Sequence, residues 1–244
     1  MAPLVLINTR LFTGGADLTS RSNKVEITSE AEDKDATTFG SGGWKELLGG
    51  LVASEISAEG LWEAGAPGLV DDEMWLDLGG LGPFTACPDG AAVGQLAYLT
   101  KTMTGKYGIG GAVGDIAPWQ AEAKSSWPTV RGLLAHPPGT ARTATGTGTG
   151  QQLGAVAAGR NLYACLHVLS VAGTTPSITV AIESDDTNGF GSPVTQLTFA
   201  AATAVGGQVL RVPGAITDTW WRPKWTITGT GGPSFLFALS FGIQ

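Results

Sequence analysis

Chemistry in this chain could start from two histidines, two cysteines, one aspartate-rich turn, one glycine–threonine run and one tryptophan cluster. His136 stands before Pro137-Pro138, which reads as an exposed turn, and His167 sits inside the strongly apolar NLYACLHVLSV run. A general base needs a nucleophile, an acid or a metal within hydrogen-bond reach. Neither histidine has one at a local spacing, so both read as structural. Cys87 and Cys165 are far apart and form no CxxC pair, so buried free thiols are expected rather than a disulfide or a zinc site. No GxSxG or HExxH run occurs. The Gly146-Thr-Gly148-Thr-Gly150 run resembles a phosphate-cradling loop, but it lacks GK[ST] and lies between β segments, so it reads as a linker. Ser184-Asp185-Asp186-Thr187-Asn188-Gly189 could offer oxygens to calcium, yet these are equally the residues of a tight turn, the stronger reading. Trp220-Trp221-Arg222-Pro223-Lys224-Trp225 could stack on sugars or bases or anchor an interface; core or interface packing is favoured. The expectation is a chain with no catalytic residue, no metal and no cofactor, and not an enzyme.

Composition points to assembly rather than turnover. Charged residues are only 14% of the chain, well below the usual quarter or so, and glycine is abundant at 37 residues. High glycine among short Val, Ile, Phe, Trp and Thr runs indicates an all-β protein with many turns. A sparsely charged surface also suits a chain covered by other subunits. The net charge of −7 is unevenly shared: residues 1–128 hold 8 bases and 17 acids (8 − 17 = −9), and residues 129–244 hold 6 and 4 (6 − 4 = +2). No basic cluster of the kind that grips DNA is present. The N-terminus lacks the long apolar region of a signal peptide, and no run approaches the ~20 apolar residues of a membrane span. The expectation is a soluble chain made in the cytoplasm, with no membrane partner.

Strands are expected at residues 3–12, Ser22–Thr28, Val93–Met103, Asp115–Trp127 and Val130–Leu134, with Lys106–Val113 a turn and strand start and Glu63–Gly90 loop-rich. After the His136–Gly150 tract come Asn161–Val171, apolar on both faces, then Ile178–Ile182, Leu197–Phe199, Val209–Val212 and Trp225–Thr228. A closing strand puts Phe235, Phe237, Leu239, Phe241 and Ile243 on one face. This divides the chain into a β domain over 1–140, a Gly/Thr linker over 141–150, and a second β domain over 151–244, each a sandwich or barrel.

The stretch from Val25 to Trp62 is the organising one. Val25–Thr28 and Ile56–Trp62 alternate as half-buried strands, and between them Ser29–Gly43 is acidic, Gly-rich and carries one large apolar side chain, Phe39. Ordering fifteen such residues costs roughly 15–30 kcal/mol, while burying one Phe returns about 1.5–3 kcal/mol. The segment is therefore expected to become ordered against a neighbouring copy. Trp44, Leu47, Leu48 and Leu51 stand at i, i+3, i+4 and i+7, which predicts a short helix over 44–52, weakened by Gly49-Gly50.

DKDATTFGSGG at 33–43 after a strand, followed by Leu51–Trp62, resembles the N-terminal pattern of tail tube (major tail) proteins of long-tailed bacteriophages, those of actinobacterial hosts in particular. The blocks ARTATGTGTGQQLG at 141–154, Leu166-His167-Val168, Glu183–Phe190, Thr217–Arg222 and Phe235–Ile243 are also similar to virion proteins of that group. The resemblance implies a β-barrel or sandwich subunit with a short flanking helix and an extended inter-ring loop, plus a C-terminal β-sandwich or second barrel-like half. It implies rings whose inner strands join around a lumen, stacked into a tube. Asp33, Asp35, Phe39, Gly40, Gly42, Gly43 and Trp44 would form the self-assembly loop, and Trp220, Trp221 and Trp225 would be interface aromatics. The implied partners are copies of the chain itself, tape measure and tail-end proteins, and double-stranded DNA passing through the lumen without specific binding. The implied location is the virion tail, assembled in the host cytoplasm. The alternative is a capsid-decorating or host-glycan-binding virion protein using the C-terminal aromatics.

Overall fold

The computed structural model describes residues 4–66 and 68–244. The strands are β1 (Arg10–Thr13), β2 (Ala16–Asp17), β3 (Ser22–Asp35), β4 (Leu47–Leu61), β5 (Leu81–Cys87), β6 (Leu96–Ile109), β7 (Pro118–Ser125) and β8 (Val130–His136). They continue as β9 (Gly146–Thr147), β10 (Gln151–Gln152), β11 (Asn161–Ala172), β12 (Ser177–Asp185), β13 (Val194–Thr198), β14 (Gly206–Pro213), β15 (Trp220–Thr228) and β16 (Ser234–Ile243). One helix, α1 (Val70–Leu76), stands between β4 and β5. The protein is all-β, with antiparallel sheets.

The larger sheet runs β14-β11-β16-β8-β6-β5-β1-β2, and β6 also carries a branch, β7-β4-β3. The long β6 makes this possible by dividing one edge: Leu96–Leu99 pairs with β8, and Thr102–Ile109 pairs with β7. The main path curls until β14 meets the β1–β2 turn and β5. A Cβ on Gly207 would fall 2.5 Å from the Gly14 carbonyl oxygen and from Pro83, so only glycine permits that approach. The smaller sheet, β10-β15-β12-β13 with β9 on β15, covers one face of β11 and β16.

The main core lies between those two layers. Leu162, Leu166 and Val168 of β11 and Phe235, Phe237, Leu239 and Phe241 of β16 meet Ile178, Val180 and Ile182 of β12 and Trp221 and Trp225 of β15. The odd-numbered face of β16 is the one expected from its alternation, and burying each such side chain stabilises by about 1.5–3 kcal/mol. The opposite face of β11 and β16 is also buried, through Cys165, His167, Ala238 and Ser240. A second core gathers Leu11, Ile56, Ala58, Phe84, Trp119 and Ala121 beneath Val70 and Met74 of α1.

Several expectations are corrected. The first strand is shorter than 3–12, beginning at Arg10, and Pro3 lies outside the described residues. Residues 44–52 are not helical: β4 starts at Leu47 and pairs Leu47 with Asp35. Gly49-Gly50 breaks the helical stripe, and cross-strand hydrogen bonding takes over. The helix lies instead at Val70–Leu76, in the segment expected to be loop. Residues 141–150 are no free linker, because Arg142 exchanges backbone hydrogen bonds with Phe235 (2.7 and 2.9 Å), and Gly146–Thr147 pairs with Trp225 and Lys224.

Candidate functional site

The β3–β4 hairpin gathers every residue expected in the assembly loop. β3 does not stop at Thr28: its ladder with β4 continues from Thr28↔Glu55 to Asp35↔Leu47, with a bulge after Ala31. Counting only side-chain burial missed what orders this segment, which is main-chain pairing. β7 pairs with β4 only over Glu55–Leu61. The outer part of the hairpin, Ser29–Asp35 against Leu47–Ser54, is therefore a two-stranded ribbon extending about 25 Å past the sheet at ~3.4 Å per residue.

The turn is held by its own polar groups. Ser41 N donates to Thr38 O (3.0 Å), Trp44 N to Ser41 O (3.1 Å), and Thr38 N to Ser41 Oγ (3.1 Å). The Thr37 hydroxyl and amide both donate to Asp35, holding its carboxyl below the usual range. Gly42 and Gly43 adopt φ of 62° and 87°, left-handed values that favour glycine. This local network leaves Phe39 fully exposed and Trp44 81% exposed, with Leu47, Leu48, Leu51 and Val52 exposed behind them. Such a ribbon is marginal in water on its own, and it carries six exposed large apolar side chains, with Leu47 and Leu48 on opposite faces.

Two further features adjoin it. Among the described residues β3 pairs only with β4, which leaves its outer edge without a strand partner. Two hollows of about 390 and 360 Å³ flank that edge, both lined by Leu6, Thr9 and Val25. The solvent face of the same branch is polar. Lys24, Glu26, Glu55, Glu59, Glu122, Lys124 and Lys106 share it by register, and cross-strand pairs form at Lys24–Glu59 (3.1 Å), Lys124–Glu55 (3.0 Å) and Lys106–Glu122 (2.6 Å).

The other expected sites resolve differently. Trp221 and Trp225 are buried, their indole N–H groups donating to Gly154 O (2.8 Å) and Ala144 O (2.9 Å), and only Trp220 is half-exposed. As interface aromatics Trp221 and Trp225 are corrected to core residues, which removes the platform the glycan-binding alternative needed. His136 is buried rather than in an exposed turn: Nδ1 pairs with Phe237 O (3.1 Å), and Nε2 accepts from Arg142 Nε (3.1 Å). His167 is buried between Thr85 Oγ1 and Gly14 O, each at 2.9 Å. Burial pushes both imidazoles down to about 4. Cys87 and Cys165 are free and buried, as expected. Asp185 caps its own turn, accepting from Thr187 N and Ser192 N at 3.0 Å each, which holds its carboxyl down to about 2. That is the tight-turn reading.

Sequence reasoning missed an exposed apolar edge on the same half, with Trp75 and Leu76 on the α1 face of the β5–β6 pair and Leu81 and Met103 on the other. Leu81 pairs with Met103, Leu78 bridges to Thr104, and Trp75 stands edge-on to Tyr107 with centroids 6.4 Å apart. All but Tyr107 and Thr104 are exposed. The apolar run at Met74–Leu78 was its one sequence signal.

No family model and no curated protein matches the chain. Fifteen chains among solved structures are similar to it, of which three follow. One is titled the virion of a native gene transfer agent particle, 19% identical with a TM-score of 0.42, over 53% of this chain and 98% of that one. Another is the tail of an empty gene transfer agent particle with C6 symmetry, 20% identical with a TM-score of 0.37, over 44% and 79%. The third is the Dit protein of phage SPP1, titled a paradigm of the hub adsorption apparatus in phages infecting Gram-positive hosts, 12% identical with a TM-score of 0.36, over 97% and 99%.

Proposed function

We propose that this chain is a structural subunit of a phage-type tail, which closes into rings with identical copies and stacks those rings into the tube through which DNA passes. The observation that carries this reading is the projecting β3–β4 ribbon with its exposed Phe39, Trp44, Leu48 and Leu51. A monomer gains nothing from such a tip, whereas a stacked copy buries it. The open β3 edge supports closure within a ring, since an unpaired edge is an aggregation hazard unless a neighbour completes it. The polar face of the β3-β4-β7-β6 branch is the lumen wall in this arrangement. Its three lysines are each paired with a glutamate across strands and a fourth glutamate, Glu26, is left over (3 − 4 = −1), so no excess of cations is left to hold phosphate. The mechanism is polymerisation, with no chemical step.

Replacing Ala31–Val52 by a short turn tests this. The expected result is a folded monomer that forms no tubes in negative-stain microscopy at concentrations where the full chain does. Tubes from the shortened chain would overturn the role given to the ribbon.

A further inference from the structure

The charges left without a partner are segregated along the chain. Among the described residues, six Lys and Arg side chains have no carboxylate within ion-pair reach: Arg10, Lys101, Arg131, Arg142, Arg160 and Arg211. All but Arg10 stand at or beyond Lys101. The acids gather at the other end. Residues 29–54, the outer part of the β3–β4 hairpin, hold five acids and two bases (2 − 5 = −3). Three of those acids, Glu30, Asp33 and Glu46, are exposed and in no ion pair among the described residues.

Two of the free cations converge on one ring. Lys101 Nζ and Arg211 Cζ lie 5.3 and 4.9 Å from the centroid of Trp127. They come from β6 and β14, so the fold rather than any stretch of sequence brings them together. The ring is fixed in place. Trp127 O accepts from Thr100 Oγ1 (2.9 Å), Ser126 N donates to Lys101 O (2.7 Å), and the indole stands edge-on to Tyr163 with centroids 5.8 Å apart. Arg211 is the cross-strand partner of Tyr163, and Lys101 shares its face of β6 with Leu99. Leu99 and Tyr163 belong to one buried cluster, with Trp127 packed against it. The corner is therefore a single surface. Its aromatic plate attracts both cations but leaves their charges uncompensated and mutually repulsive. A carboxylate set between them removes that repulsion.

We propose that this corner receives the acidic β3–β4 ribbon of a second copy, with the Glu30, Asp33 and Glu46 carboxylates facing Lys101 and Arg211. This rests on the self-assembly reading and names where the ribbon lands. The occupant follows from charge. Many other acids of the N-terminal half are already engaged: Glu55, Glu59 and Glu122 by lysines, and Asp71 by Trp62 and Tyr107. The free acids of the ribbon project past the sheet, where a neighbour meets them first. Within one copy β4 and β7 separate β3 from β6, about 14 Å between main chains at ~4.8 Å per strand, and no ion pair spans that gap. Arg211 can take a carboxylate in two parallel hydrogen bonds, which fixes orientation as well as contact. Because ribbon and corner are different surfaces, the contact is heterologous and repeats from copy to copy. Charge pairs of this kind act chiefly on the register and rate of joining.

Reversed charges test this. One chain carries Lys101→Glu and Arg211→Glu, and a second carries Glu30→Lys, Asp33→Lys and Glu46→Lys. All five side chains are exposed or partly so, and unchanged thermal melts establish that both chains fold. If Lys101→Glu disturbs the melt, Arg211→Glu alone, at the more exposed position, takes its place. Each chain by itself is expected to need at least about tenfold more protein than the unsubstituted chain to form sedimenting polymer, since like charges then face each other. An equal mixture is expected to recover polymer, because each ribbon then meets opposite charge on the other chain. A mixture no better than its components overturns the proposal. Polymer from each variant alone at the unsubstituted concentration also overturns it and leaves the tail-subunit reading standing. An unsubstituted chain that never polymerises sinks both. A gel shift of short duplex DNA that is lost with Lys101→Glu and Arg211→Glu, while polymerisation is unchanged, gives the corner to nucleic acid and overturns the proposal.

Discussion

The two halves of the molecule use similar side chains for opposite ends. Of the large apolar residues exposed among the described ones, twenty lie between Leu4 and Ile116 and two, Val194 and Val205, lie beyond. The C-terminal half spends its Phe, Trp, Leu and Ile on the core between the smaller sheet and β11–β16. The N-terminal half leaves many of its own on the hairpin tip, α1 and the β6–β7 turn. Fold stability is thus concentrated where the sheets face each other, and on the proposed reading association falls where a branch of one sheet extends past its neighbours. A subunit that must be stable before assembly, yet bind copies of itself, benefits from separating the two.

The largest expected effect breaks or sharpens that separation directly. Trp221→Ala removes a fully buried indole and its bond to Gly154 O, and is expected to cost about 3–5 kcal/mol in urea unfolding. Phe39→Ser, at the tip, is expected to change monomer stability by no more than about 0.5 kcal/mol while weakening association. Comparable unfolding losses from both substitutions would erase the contrast.

Acid acts next, and selectively. His136 and His167 both sit in or against the C-terminal core, with folded-state pKa values of about 4 because burial disfavours their charge. The unfolded chain, near 6.5, binds more protons between those values, so stability rises with pH across that window. The contribution is complete above pH 6.5, is lost as pH falls from 6.5 to 4, and changes no further below. Each imidazole is worth on the order of 3 kcal/mol. Thermal melts between pH 7 and 4.5 should show a falling Tm, and His167→Gln should flatten the slope. Asp185, at about 2, titrates outside that range. A Tm independent of pH would show that these imidazoles are not held neutral.

How far the sequence made this legible follows the same division. The β16 alternation, the two-faced burial of β11 and the structural histidine at 167 could be read because each depends on local pattern and core burial. That Asp33 to Trp44 form one largely exposed segment was also readable. Their form was not: the ladder pairing Asp35 with Leu47 spans a turn, and the Leu47-Leu48-Leu51 spacing satisfies a helix template equally well. The pinning of residues 141–150 was hidden for a related reason, since its partners, Phe235 and Trp225, lie about eighty or more residues away.

The smallest expected effect concerns the polar face of the β3-β4-β7-β6 branch. Its three ion pairs are all about half-exposed or more, and exposed pairs of this kind are worth about 0–1 kcal/mol. Glu55→Gln should therefore shift monomer unfolding by less than about 1 kcal/mol, whichever half dominates stability. Reversing Glu26, Glu55 and Glu122 to lysine should act instead on charge. If this face lines a lumen, tubes of that variant should bind double-stranded DNA and release it as salt rises, and unsubstituted tubes should not. The comparison with Phe39→Ser then separates two roles within one branch: the tip decides whether copies join, and the face decides what can pass. DNA binding unaffected by the reversal would place this face away from any lumen and leave only the tip with a role in the particle.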